Sequence, residues 1–308
     1  MAPRVLVADP IDKRSVEMLT AAGFEVVVRP NISSSELLET IAGFDVLMVR
    51  GRTKVTSDVL SRGVPRLKVV GRAGVGLDNV DLEAAARHGV KVFNTPESST
   101  NSVAELVIGL MIAVARKIAW SDRVMRAGKW PKQEAMGFEL AHKTLGVVGF
   151  GRIGRRVAEI AYAIGMRIIA YDVIPIPEEV LAKTETKLTT LEEVLRNSDV
   201  ITLHVPLTHE TYHLINDDRI SLMKPTAILI NASRGEVIDE EALYRALSEG
   251  RLAGAGLDVF EHEPPTGSKL LSLDNVVLTP HIGAQTVEAQ QLAGTMLAQK
   301  IIDYFKTA

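Results

Sequence analysis

Short runs of mostly apolar, β-branched residues alternate along this chain with longer stretches of helical pattern. They occupy positions 5–8, 25–28, 46–49, 67–70, 145–148, 167–170, 200–203, 227–230 and 276–278. Strands that are apolar along their whole length are buried on both faces, and the intervening helices cover those faces in parallel sheets. The alternation therefore predicts an α/β fold throughout the chain.

The 308 residues are enough for two domains. A polar, turn-rich segment at 94–101 follows four strand–helix units and marks a crossover into a helical stretch at about 102–127. Ser102 and Glu105 have the spacing of a capping box at the start of that helix. A last helical pattern covers about 285–305. We expect two doubly wound parallel-sheet domains.

Composition and charge exclude several kinds of partner. The formal net charge of −3 gives no basic footprint for nucleic acid. The chain has no cysteine, which rules out disulfides, thiolate catalysis and cysteine-based zinc sites. The longest apolar run, near 106–115, is shorter than the ~20 residues of a membrane span. We therefore expect a cytoplasmic protein with no nucleic-acid, membrane or metal partner.

Gly149, Gly151 and Gly154 form a GxGxxG pattern directly after the apolar run at 145–148 and before a helical pattern at 155–163. Glycines there permit a tight turn and let the backbone approach a pyrophosphate, which the free amides and dipole of the helix N-terminus attract. The pattern predicts a dinucleotide-binding loop.

Asp172 strengthens this prediction because it ends the next strand run, 18 residues after Gly154. A carboxylate in that place can accept hydrogen bonds from both adenosine ribose hydroxyls, and it repels a 2′-phosphate. We therefore expect NAD as the cofactor, in preference to NADP.

A second glycine cluster spans residues 71–76. It is not a competing dinucleotide fingerprint, because Asn79 stands where a glycine would be needed. Residue spacing leaves two interpretations open: an ordinary strand-to-helix loop, or an anion site in which the amides of Gly74, Val75 and Gly76 hold a charged substrate group.

Three strand ends in the second half carry residues suited to oxidising an alcohol: Arg234, Glu263 and His281. An imidazole can take the hydroxyl proton near neutral pH. A carboxylate would orient that imidazole, and a guanidinium would bind a substrate carboxylate bidentately. Loops at the carboxyl ends of strands in an open α/β sheet share one edge, so these three side chains are expected to converge.

Four ordered motifs make the chain resemble the D-isomer-specific 2-hydroxyacid dehydrogenase family. They are the glycine loop at 149–154, Asn231–Gly235, Asp258–Phe260 with Glu263-Pro264, and Pro280–Gly283. The resemblance implies that Arg234 binds substrate, Glu263 orients the base and His281 acts as acid and base. It also implies NAD contacts from the remaining predicted cofactor residues, which are Arg152, Ile153, His204, Pro206, Ala232, Asp258 and Gly283.

The same resemblance implies a discontinuous organisation and a homodimer. A flavodoxin-like substrate domain would take residues 1–97 and 285–308, and a Rossmann cofactor domain residues 98–284. Dimers would form on the helix from about 102 and the segment carrying Trp120 and Trp130.

Within the family, the segments 49–56, 71–81 and 128–140 are most similar to members that oxidise a phosphorylated 2-hydroxy acid. Arg50 and Arg52 follow the strand run at 46–49 and are the predicted phosphate ligands. Many such relatives carry a C-terminal regulatory domain, and we expect no feedback inhibition through one here.

Two alternatives stay open. One is a family member that acts on a small unphosphorylated acid, such as a glyoxylate or hydroxypyruvate reductase, which would not need the two arginines. The other is an NADH-sensing interaction protein, since some family members act as transcriptional corepressors.

Overall fold

The computed structural model describes residues 2–307. The chain divides into two compact units: unit 1, Met1–Ser99 with Ala284–Ala308, and unit 2, Thr100–Gly283. Each unit is built around one sheet in which every strand pair is parallel. The predicted α/β class with two doubly wound parallel sheets is confirmed.

Unit 1 has a five-stranded sheet in the order β2-β1-β3-β4-β5. Its strands are β1 (Arg4–Val7), β2 (Glu25–Val28), β3 (Val46–Val49), β4 (Val69–Arg72) and β5 (Lys91–Phe93). Its helices are α1 (Lys13–Ala21), α2 (Ser34–Thr40), α3 (Ser57–Gly63), α4 (Leu82–Arg87) and α12 (Val287–Thr307), with a 3₁₀ turn at Ile41–Gly43.

The last helix belongs to unit 1 because it covers one face of this sheet. Leu297, Ala298 and Ile301 of α12 are fully buried in one cluster with Val5, Val46 and other β1 and β3 side chains. The opposite sheet face packs on α2, α3 and α4. Gly71 in β4 leaves room for Leu297, whose Cδ1 lies 2.9 Å from where a Cβ would stand.

Unit 2 has a seven-stranded sheet in the order β12-β11-β10-β9-β6-β7-β8. Its strands are β6 (Thr144–Val148), β7 (Arg167–Tyr171), β8 (Lys187–Leu188), β9 (Val200–Leu203), β10 (Ile228–Asn231), β11 (Gly254–Leu257) and β12 (Val276–Leu278). Its helices are α5 (Thr100–Ala115), α6 (Ile118–Arg126), α7 (Arg152–Ala163), α8 (Glu178–Ala182), α9 (Leu191–Asn197), α10 (Asp217–Ile220) and α11 (Glu240–Ser248), with 3₁₀ turns at Gly235–Val237 and Lys269–Ser272.

The strand order of each unit creates a point where the chain direction across the sheet reverses. It lies between β6 and β9 in unit 2, and between β1 and β3 in unit 1. The loops that follow these strands separate there and leave a crevice, which is where open α/β sheets bind ligands. Two candidate sites are therefore defined by topology alone, one in each unit.

The prediction of one long helix at 102–127 is wrong. The structure has α5 and α6 instead, because Lys117 adopts a left-handed conformation with φ of 50° and breaks the hydrogen-bond ladder. The expected capping box also fails, since α5 begins at Thr100 and places Ser102 inside its first turn. The final helix begins at Val287, two residues later than expected, and no helix within residues 2–307 is long and apolar enough to cross a membrane.

Candidate active site

The glycine loop follows β6 at the point where the strand order of unit 2 reverses. Gly149 has a φ of +93°, and a Cβ there would lie 2.6 Å from the carbonyl oxygen of His204, which follows β9. A Cβ on Gly154 would overlap the carbonyl oxygen of Gly149. Both glycines are therefore required by the packing of this turn, for the reason that the sequence pattern suggested.

The start of α7 fits a dinucleotide phosphate. Gly151 is its N-cap residue, and within residues 2–307 no side-chain hydrogen bond caps this helix. No atom lies within 4 Å of where a Gly151 Cβ would stand, so the space beside the first amides is open. Unpaired N–H groups and the positive end of the helix dipole attract an anion. Arg152 and Ile153 form the first turn, where the sequence placed the cofactor.

Asp172, directly after β7, is held in place from two sides. One carboxylate oxygen accepts the amide N–H of Phe150 at 2.6 Å and the other accepts that of Ile174 at 2.9 Å. The carboxylate is thereby tied to the glycine loop. A carboxylate can accept about four hydrogen bonds, so two remain for a ligand's hydroxyls.

His204 follows β9 and lies against the turn at Gly149. Its Nε2 is 3.0 Å from the Thr202 hydroxyl, and burial lowers the pKa of the imidazole from 6.5 to about 3. The ring is therefore neutral at physiological pH and lines the loop without exchanging protons. Pro206, two residues on, is exposed, and its carbonyl accepts the Thr211 hydroxyl at 2.6 Å.

Asn231, at the end of β10, orders the loop that carries Arg234. The fully buried amide side chain donates to the Arg234 carbonyl at 2.8 Å and accepts from the backbone and the hydroxyl of Ser233. Arg234 donates to the Ser233 carbonyl at 2.7 Å. Ala232 lies partly exposed within the same turn. The loop geometry is thus set before any ligand binds.

Asp258, directly after β11, orders the loop that follows β12. Its carboxylate is 1% exposed and accepts the Thr279 hydroxyl at 2.6 Å and the amides of Ile282 and Gly283, each at 2.8 Å. Its backbone carbonyl accepts the His281 amide at 2.8 Å. His281 has a φ of 53°, which costs a non-glycine residue about 1–2 kcal/mol. These bonds maintain that conformation, a role that sequence reasoning did not assign to Asp258.

His281 and Glu263 form a close pair at the ends of β12 and β11. The ring Nδ1 lies 2.8 Å and 3.1 Å from the two carboxylate oxygens of Glu263. An Nδ1–H donated to this carboxylate leaves Nε2 as a proton acceptor, and half of the His281 side chain is exposed to solvent. The arrangement suits a general base whose protonated form is stabilised by an adjacent negative charge.

The reversal point of the unit 1 sheet holds a second cluster around Asp9, which follows β1. The buried Asp9 carboxylate accepts the Arg50 amide at 2.6 Å, the Thr53 hydroxyl at 2.6 Å and the Arg52 Nε at 3.2 Å. The side-chain amide of Asn79 donates to the carbonyls of Arg50 and Thr53, each at 2.7 Å. The loop after β3 is therefore ordered from two directions.

The two arginines of this loop differ in their surroundings. The Arg52 guanidinium also donates to the carbonyls of Ala8 at 3.1 Å and Pro30 at 3.0 Å, so it ties the loop to its own unit. Arg50 donates to the Gln285 side chain at 2.8 Å, and burial lowers the pKa of its guanidinium while Asp9 opposes that shift. A partly desolvated cation gains more from an anion than an exposed one does.

One backbone amide of the glycine cluster after β4 already has a hydrogen-bond partner. The Gly74 amide donates to the Thr95 hydroxyl at 2.8 Å, so an anion at this loop would rely on the amides of Val75 and Gly76. Gly74 has a φ of +139°, and a Cβ there would overlap the Arg72 guanidinium. Arg72 was given no role from sequence, although its place at the end of β4 was a usable signal.

The sheet order, the glycine loop and the strand-end His–Glu pair together define a dinucleotide-dependent dehydrogenase. Residues 108–283 match the family model described as D-isomer specific 2-hydroxyacid dehydrogenase, NAD binding domain. The chain belongs to this family, and unit 2 is its NAD-binding domain.

Similar proteins agree on the family and differ in substrate. The chain is 49% identical to the D-3-phosphoglycerate dehydrogenase of Methanocaldococcus jannaschii, over 97% of its own length and 56% of that protein. It is also 49% identical to the hydroxypyruvate reductase of Thermotoga maritima, over 97% of both chains. The TT0316 protein of Thermus thermophilus superposes with a TM-score of 0.91 at 37% identity, over 99% of this chain and 97% of that one.

The lowered pKa of His204 predicts a loss of stability in acid. The unfolded chain takes up a proton near the ordinary pKa of 6.5 while the folded chain resists protonation to about 3, so stability is full above 6.5 and declines toward 3. In urea unfolding, His204→Gln should show a flatter decline between pH 6.5 and 4. The difference should stay below ~1.4 kcal/mol per pH unit, because that is the largest slope that the uptake of one proton can give.

The exposed His209→Gln variant is the matched control and should keep the wild-type slope. Equal slopes in wild type and His204→Gln would show that His204 is protonated without penalty in the folded state.

Proposed function

We propose that this protein oxidises D-3-phosphoglycerate to 3-phosphohydroxypyruvate with NAD, the first step of serine biosynthesis. The observation that carries the proposal is the bidentate contact between His281 and Glu263 at the strand ends of the NAD-binding domain. Bound NAD supplies the hydride acceptor.

The proton chemistry is assigned to His281. Its Nε2 takes the proton of the substrate hydroxyl, and the Glu263 carboxylate stabilises the positive ring that results. In the reverse direction the protonated ring returns that proton to the carbonyl oxygen. Asp258 holds the histidine backbone in the conformation that brings its ring to Glu263.

Substrate and cofactor recognition is assigned to loops of unit 2, with one further candidate in unit 1. Arg234 binds the carboxylate of the hydroxy acid, and the amides of Val75 and Gly76 are a second candidate for that group. Asp172 binds the adenosine ribose and disfavours NADP. Further NAD contacts are proposed for Gly149, Gly151, Arg152, Ile153, Gly154, His204, Pro206, Ala232, Asp258 and Gly283.

Phosphate recognition is assigned to the loop after β3. Arg50 is the proposed contact, because it is a partly desolvated cation at the reversal point of the unit 1 sheet. Arg52 supports the loop through Asp9 and contributes positive charge to it.

A hydroxypyruvate reductase is the second candidate function. It is favoured by the full-length match to the Thermotoga maritima enzyme at the same identity as the phosphoglycerate dehydrogenase. The two candidates share all the chemistry at His281 and differ only in whether the substrate carries a phosphate. No contact among residues 2–307 favours a purely NADH-sensing role.

Removing the proposed base tests the reaction. His281→Ala should lower turnover at least ~100-fold, the usual scale for a positioned acid–base group. Glu263→Gln should be impaired and its pH–rate profile should differ from that of wild type, because a neutral amide stabilises the charged ring less. Steady-state rates of NADH formation across pH 6–10 measure both. Near-normal turnover of His281→Ala at neutral pH would refute the assignment.

Two substrates that differ only in phosphate test the specificity. Wild type should prefer 3-phosphohydroxypyruvate to hydroxypyruvate in NADH-dependent reduction. Arg50→Ala should lose ~10–100-fold in kcat/KM on the phosphorylated substrate alone, the value of a charged hydrogen bond of 1.5–3 kcal/mol. The nearby exposed cation Lys54, changed to alanine, controls for general charge attraction.

Equal losses of Arg50→Ala on both substrates would refute phosphate recognition by this side chain. A wild type that preferred hydroxypyruvate would favour the second candidate function.

We also propose a homodimer through the segment from α5 to Trp130. The segment is rich in solvent-exposed apolar side chains: Ile112 38%, Ile118 50%, Met125 49% and Trp130 76%. Exposed apolar area on this scale favours an interface. Light scattering at micromolar concentration should give a mass of two chains, and Trp130→Ser with Met125→Ser should shift it toward one. A monomeric wild type would contradict the proposal.

A further inference from the structure

The loop that carries Glu263 is fastened at both ends to the first residue of α11. The Glu261 amide donates to the Glu240 carboxylate at 2.7 Å, and the Ser268 hydroxyl donates to the other oxygen of that carboxylate at 3.2 Å. Glu240 thus joins the two ends of the segment 261–268. Glu263 lies inside this segment, and among residues 2–307 the one backbone group that bonds its carboxylate is the Phe260 amide, at 3.3 Å.

Glu240 and Glu261 each accept a hydrogen bond from the backbone of the other. The Glu261 carboxylate accepts the Glu240 amide at 3.0 Å, which satisfies one of the N–H groups that the start of a helix leaves unpaired. A negative charge is favourable at that end of a helix, and both carboxylates lie there. Two bonds that close a ring between the same two residues restrict the loop more than one bond would.

His213 supports Glu261 from the opposite side. Its Nε2 lies 3.0 Å from the same Glu261 oxygen, and its ring stacks on Tyr212 with centroids 4.1 Å apart. The backbone of His213 donates to the Glu236 carbonyl at 2.8 Å. The titratable groups that contact Glu261 are therefore Glu240 and His213.

Backbone packing leaves the loop no space to shift toward Arg234. A Cβ on Gly235 would overlap the carbonyl group of Phe260 and the amide nitrogen of Glu261. The segment after Arg234 and the segment before Glu263 are thus in direct backbone contact. The loop of the proposed substrate-binding residue Arg234 and the loop of Glu263 therefore pack together without an intervening side chain.

We propose that Glu240, acting through Glu261, is a positioning residue for the Glu263–His281 pair. The inference rests on the proposed dehydrogenase function. Neither glutamate contacts the reacting atoms: Glu240 keeps the 261–268 segment against α11, and this holds the Glu263 carboxylate at hydrogen-bond distance from the His281 ring.

Kinetics of three variants test the inference. Glu240→Ala should reduce kcat by ~10–100-fold, the scale expected when a catalytic group is misplaced by about 1 Å, with little change in KM. Its pH–rate profile should also differ from that of wild type, because a displaced Glu263 stabilises the protonated ring less. Glu240→Gln keeps an acceptor for the Glu261 amide. A neutral acceptor forms a hydrogen bond roughly half as strong as a charged one, so the activity should stay within about threefold of wild type.

Glu241→Ala is the matched control. Glu241 is the next residue of α11, and its carboxylate bonds the surface Lys269 at 2.9 Å. It should behave as wild type. Equal losses in Glu240→Ala and Glu241→Ala, or a wild-type pH profile in a folded Glu240→Ala, would overturn the inference.

Hydrogen exchange gives a readout that does not depend on turnover. Peptides covering residues 258–268 should exchange faster in Glu240→Ala than in wild type or Glu241→Ala, while peptides from unit 1 are unchanged. Unaltered exchange of 258–268 would overturn the inference even if wild type proved inactive on every hydroxy acid, an outcome that would instead refute the proposed function.

Discussion

Because every strand pair is parallel, the loops that carry the candidate site residues of a unit lie at one edge of its sheet. In a parallel sheet the carboxyl ends of the strands lie together, so residues far apart in sequence become neighbours once the strands align. Gly149, Ala232, Asp258 and Thr279 follow β6, β10, β11 and β12 of the same sheet in this way. The strand order then decides where the loops separate, and a ligand can enter only there.

Carboxylates give those loops their shape; those of Asp9 and Asp258 are buried, and those of Glu240 and Glu261 are partly exposed. Asp9 orders the loop after β3, and Asp258 orders the loop after β12. The pair of hydrogen bonds between Glu240 and Glu261 orders the loop after β11. Each accepts backbone N–H groups that would otherwise be unpaired, at a cost of about 1–3 kcal/mol each. Short polar loops have too little apolar surface to pack themselves, and a desolvated carboxylate with several donors replaces that packing.

Glycines serve a different purpose, which is to let two backbones touch. The Gly149 backbone packs against the carbonyl of His204, and that of Gly154 packs against the carbonyl of Gly149. The Gly235 backbone packs against the peptide between Phe260 and Glu261. A methyl group at any of the three would separate segments that carry the residues proposed to bind the cofactor or to act in catalysis. The glycines of the site are therefore constraints on distance as much as on backbone angles.

The sequence by itself determined the α/β class, the glycine loop and the residues at strand ends, because buried strands, turns and titratable groups leave local patterns. It did not determine the break at Lys117, the short strands β5 and β8, or the partners of Arg52 and Gly74. The bonds through which Asp258 orders the loop after β12, and those that join Glu240 to the loop after β11, also had no signal in the sequence. The hydrogen bonds of these residues join segments that are 18 to 43 residues apart. Only the tertiary structure decides these contacts, because a hydrogen-bond partner depends on which strands become neighbours. No local sequence pattern records which strands are neighbours.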